Sequence, residues 1–236
     1  MAEEQVMDHG KDYFILARKF ATVCTLAELV SRRKRDGDAR ASYFWLANFV
    51  VYDPGSAEED SPYLTVCGDG HLNPFKKMTH RSEFEEHLSG GEYPLTPELD
   101  HTVKEALVRG TAVRISYAGL SNSGGPRLEL PSKNNTTYLI INPLELVRFQ
   151  EHRPYFNESQ RALLTALYGA PQDHGRMLMD AGGRNTAIIM LAEPYVREQP
   201  HPFVRACWTN TVDAGSLVEL CENFKENDGF ILGVLR

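Results

Sequence analysis

Gly110-Thr111-Ala112-Val113-Arg114-Ile115-Ser116-Tyr117 is the stretch on which the fold class turns. Val113, Ile115 and Tyr117 alternate with Arg114 and Ser116, the period-two pattern of a strand with one wet face. Just before it the period is helical. Thr96-Pro97-Glu98-Leu99 has an N-cap residue followed by proline at the first helical position, and Leu99, Val103, Ala106 and Leu107 form one stripe that Gly110 closes. Just after it, Arg127 to Leu130 and Thr137 to Ile141 read as further strands. Their connections are too short for parallel crossovers, so residues 111–141 are expected to form an antiparallel meander.

Both flanks of this region mix helical and strand patterns. Upstream, Tyr13, Leu16, Phe20, Cys24, Ala27 and Val30 recur at helical spacing, predicting one helix from Lys11 to Arg33. Tyr43 to Tyr52 and Tyr63 to Cys67 read as buried strands, and Ser82-Glu83-Phe84-Glu85 has the form of a capping box. Downstream, Asn157 and Gln160 open a helix to Tyr168, ended by Gly169 and Pro171. Thr186 to Leu191 and Phe203 to Thr209 read as strands, and Asp213 as the cap of a last helix carrying Leu217, Leu220, Cys221 and Phe224. Phe230 to Leu235 is an apolar strand, costly to leave unpaired, and is expected to pair within the sheet or with a partner chain. The fold class expected is α+β: a central, mainly antiparallel sheet flanked by helices. One domain over residues 1–236 is the expectation, with two lobes meeting near residue 142 as the alternative.

The 236 residues carry 25 Lys and Arg against 32 Asp and Glu, a net charge of −7, which disfavours broad binding to nucleic acid or anionic membranes. No apolar run reaches the roughly 20 residues of a membrane span. The opening MAEEQVMDHG has no basic segment leading into an apolar one. The four cysteines, Cys24, Cys67, Cys207 and Cys221, show no CxxC pair or metal-finger spacing. A cytoplasmic protein with reduced, buried thiols is expected.

No phosphate loop, dinucleotide fingerprint, HExxH or GxSxG elbow occurs. Three weaker groupings remain. Cys67-Gly68-Asp69-Gly70-His71 brings a thiol, a carboxylate and an imidazole to the end of a strand, where a loop can present reactive groups. Cys67, Asp69 and His71 are therefore the candidate catalytic residues of a hydrolase-type enzyme, although Gly-Asp-Gly is also ordinary turn chemistry. Arg32, Arg33, Lys34 and Arg35, with Arg40, give residues 31–40 a local balance of +3 and could contact nucleic-acid phosphates. Tyr195, Arg197, Arg205 and Trp208 fall in or beside a segment broken by Pro194, Pro200 and Pro202, and are residue types enriched at protein–protein hot spots. His80, Glu83 and His87 have ligand spacing, but a helix that begins at Ser82 would put His80 outside it. No metal or other cofactor is expected.

The reading ranked first is a non-enzymatic binding or assembly subunit acting through a protein partner or self-association. The hydrolase and the nucleic-acid binder stand as alternatives, and whether the chain is an enzyme is left open.

Overall fold

The computed structural model describes residues 5–10, 20–36, 42–55, 62–68, 93–121, 125–129, 137–151, 155–180, 186–191, 200–212, 215–222 and 229–235. The elements, in chain order, are strands β1 (Gln5–Gly10) and β2 (Phe20–Val23), helix α1 (Leu26–Asp36), and strands β3 (Ser42–Asp53), β4 (Tyr63–Cys67) and β5 (Tyr93–Pro94). Helix α2 (Pro97–Arg109), strands β6 (Ala112–Ser116), β7 (Arg127–Glu129) and β8 (Thr137–Ile141), and helices α3 (Pro143–Val147), α4 (Glu158–Tyr168) and α5 (Pro171–Asp180) follow. Strands β9 (Thr186–Leu191), β10 (Phe203–Val212), β11 (Gly215–Glu222) and β12 (Gly229–Leu235) complete them.

All the strands belong to one 12-stranded sheet whose main path runs β1-β12-β3-β10-β11-β9-β8-β7. The pairs are antiparallel except β9 with β11 and β12 with β3. The α+β class with a mainly antiparallel sheet is as the sequence implies. Strand β3 is its centre. β10 runs along one edge of β3 from Ser42 to Tyr52. The other edge is shared by β4, from Phe49 to Asp53, and β12, at Phe44. The apolar last strand, β12, is consumed inside the chain's own sheet, with β1 and β2 antiparallel to it.

Within the expected meander the pairing differs. β7 and β8 form a hairpin, whereas β6 pairs with β4. The reason lies in α4. Its capping box forms as the sequence predicts, Gln160 N donating to Asn157 Oδ1 at 2.9 Å and Asn157 N to Gln160 Oε1 at 3.2 Å. The same two side chains also hold the segment after β6: Asn157 Nδ2 donates to Gly119 O at 2.7 Å, and Gln160 Nε2 to Leu120 O at 2.8 Å and Pro126 O at 3.2 Å. The segment is thereby drawn onto the helix instead of turning back to pair. Gly119 permits this approach, since a Cβ there would lie 2.3 Å from Ser159 Oγ.

Strands replace part of one expected helix and the described part of another. Phe20–Val23 is β2, and α1 starts only at Leu26. The start signal is a second capping box, Thr25 N donating to Glu28 Oε2 at 2.7 Å and Glu28 N to Thr25 Oγ1 at 3.3 Å. Residues 11–19 and Asp213 lie outside the described residues. Residues 215–222 form β11, lodged between β10 and β9, so ladder pairing overrides the helix-like spacing of Leu217, Leu220 and Cys221.

One face of the sheet packs under α1, α3, α4 and α5, and their buried residues form the main cluster with Phe44, Leu46, Val50, Tyr52, Leu64, Val66, Ile115, Leu139, Ile141, Ile189 and Phe203. Helix and sheet are joined at a bulge in β3. Ala206 pairs with Phe49 and Trp208 with Trp45, so Leu46, Ala47 and Asn48 together stand opposite Cys207 alone. Outside that register, Ala47 N donates to Cys24 O at 2.9 Å. Asn48, 1 % exposed, accepts Leu26 N at 2.8 Å and so satisfies an amide at the start of α1.

Two substitutions test this packing. Asn48→Leu keeps the branched shape but strands the Leu26 amide, and is expected to cost about 1–3 kcal/mol, read as a lower urea midpoint at unchanged slope. Gly175→Ala is expected to destabilise although alanine is the better helix former. A Cβ at Gly175 would lie 2.6 Å from Val147 N and 2.8 Å from Pro143 O, so α5 must lift from α3. Overpacking of this kind costs about 1–3 kcal/mol, and the thermal midpoint should fall rather than rise.

Candidate functional site

Beyond the bulge, β10 carries two rows of register positions. Thr209 pairs with Phe44 on β3 and Val218 on β11, and all three are buried. Trp208 pairs with Trp45 and Glu219, and Asn210 with Tyr43 and Leu217. The Trp208 and Asn210 rows are the register positions that alternate with the Thr209 row. The two tryptophans of the chain are thus cross-strand partners. The Asn210 row continues in register through Leu217 on β11 to Ile188 on β9 and Ile140 on β8, the last two half-buried.

Arg205 belongs to the other row. It pairs with Val50, is 6 % exposed, and holds its guanidinium carbon 5.6 Å from the centroid of the Phe203 ring, which stacks on Tyr52 at 5.2 Å. A cation over an aromatic face is attracted to the ring quadrupole, the more so where water is excluded. Tyr195 and Arg197 lie outside the described residues.

Cys67 ends β4, fully buried, in a cross-strand row of Ala206, Phe49, Cys67 and Ala112 whose members are all buried. This row alternates with the main-cluster row, so the sheet around Phe49, Cys67 and Ala206 is buried on both faces. Gly68 N donates to Thr111 O at 3.1 Å, so the chain leaves β4 tied to the start of β6. Asp69 and His71 lie outside the described residues, as do His80, Glu83 and His87. Arg32, Arg33, Lys34 and Arg35 occupy the later turns of α1.

Other polar groupings are structural in character. On the exposed edge of β6, Arg114 donates to Asp53 Oδ2 at 3.0 Å and lies 4.3 Å from the centroid of the Tyr63 ring. Tyr168 and His174 are both buried and stack at 4.2 Å between α4 and α5, and burial pushes the Tyr168 phenol well above its usual range. A hollow of about 420 Å³ runs along the outer face of α2, lined by His101, Lys104, Glu105, Val108 and Arg109. His101 pairs there with Glu105 at 3.3 Å, and Lys104 with Asp100. Among the described residues, no three His, Cys, Asp or Glu side chains gather as they would around a metal ion. None of the described helices is long and apolar enough to cross a membrane.

No protein-family model and no curated protein matches the chain. A solved structure does, one described as "Accommodation of massive sequence variation in Nanoarchaeota by the C-type lectin fold". The alignment has a TM-score of 0.58 and covers 99 % of this chain and 98 % of that one. The fold is the C-type lectin fold. At 12 % identity the likeness is one of architecture.

Sequence reasoning placed Trp208 among the contact residues but treated Trp45 as part of a buried strand. Their pairing depends on the register between β3 and β10, which no local pattern encodes. The buried row around Cys67 gives a direct test. In the folded protein its thiol should resist iodoacetamide and react only on unfolding. Alkylation of the native chain faster than a small-molecule thiol would instead mark Cys67 as an activated nucleophile.

Proposed function

We propose that this chain is a non-enzymatic binding or assembly protein that acts through protein–protein contacts made by the part of the sheet where β3 and β10 bring Trp45 and Trp208 into register. The observation that carries the reading is the cross-strand register of these two tryptophans beside a bulge. Tryptophan and tyrosine supply large contact areas at small entropic cost and dominate interface hot spots. Glu219 shares the register row of Trp208, and Tyr43 and Asn210 pair in the row two residues on, so aromatic and polar residue types meet at this part of the sheet. The solved structure of the same fold is described as accommodating massive sequence variation. A core fixed by backbone pairing under α1, α3, α4 and α5 supports the same use here, with recognition residues in the Trp208 and Asn210 rows. The continuous cluster from Cys24 to Val218 supports a single domain, and the buried thiols of Cys24, Cys67 and Cys207 support a reducing, cytoplasmic setting.

Because β12 is already paired within the sheet, association is assigned to this part of the sheet and not to the last strand. The test is sedimentation of the full chain across the micromolar range, alone and with any protein that co-purifies in fixed ratio. Trp45→Ala and Trp208→Ala should each weaken the association at least tenfold, as loss of a hot spot worth about 2 kcal/mol requires. Circular dichroism spectra should stay unchanged. A chain that remains monomeric throughout with no stoichiometric partner, or association indifferent to both substitutions, would overturn the proposal.

A further inference from the structure

We draw no further inference here: the strongest candidate, the hollow along the outer face of α2 between His101 and Arg109, is walled among the described residues by a single exposed helix face, and nothing in the structure shows what covers it.

Discussion

Three residues of β3, Leu46 to Asn48, stand where its partner strand has one, and the rest of the structure depends on that mismatch. The Ala47 amide lies within that stretch, outside the β3–β10 register. The bulge gives it to Cys24 O and turns the Asn48 carboxamide toward the first amide of α1. Helical layer and sheet are thereby locked by hydrogen bonds in a buried setting, where leaving either group unsatisfied is costly. The same irregularity sets the register of the last five residues of β10, and with it the pairing of Trp208 with Trp45.

The two ends of the sheet are built for different purposes. Around β3, β4 and β10, alternate rows are buried on both faces, Tyr52 and Leu64 in the main cluster and Phe49 and Cys67 on the reverse. Toward β8 and β9 the reverse face is only half-buried, at Tyr138, Ile140 and Ile188. β12 links the beginning of the chain to its centre by pairing with β1, β2 and β3. A scaffold held in this way by backbone pairing leaves outward side chains little structural duty, which is the condition under which a fold hosts varied recognition sites.

Much of this was legible in the sequence where the signals are local. The Thr96–Pro97 start and Gly110 stop of α2, with Gly110 at φ +73°, and the Asn157–Gln160 box of α4 follow from short-range chemistry. The alternation through Val113 and Ile115 was equally plain. What misled was spacing shared by two structures. Phe20, Cys24 and Ala27 continue a helical stripe, yet the Thr25–Glu28 box within it marks the true start of α1. Leu217, Leu220 and Cys221 likewise sit at helical intervals, but the open edges of β9 and β10 capture the segment as a strand. The role of Asn48 depends on a helix 22 residues away in sequence, beyond the reach of local pattern. The candidate contact region was half visible. Trp208 stood out by type, whereas Trp45 becomes its partner only through long-range register.

Hydrogen exchange at single-residue resolution tests the bulge most directly. If Ala47 and Leu26 are bound as described, their amides should exchange only through global unfolding, as slowly as those of the central residues of β3. Exchange of either amide at the rate of a solvated loop, with the rest of β3 still protected, would contradict the junction on which this account rests.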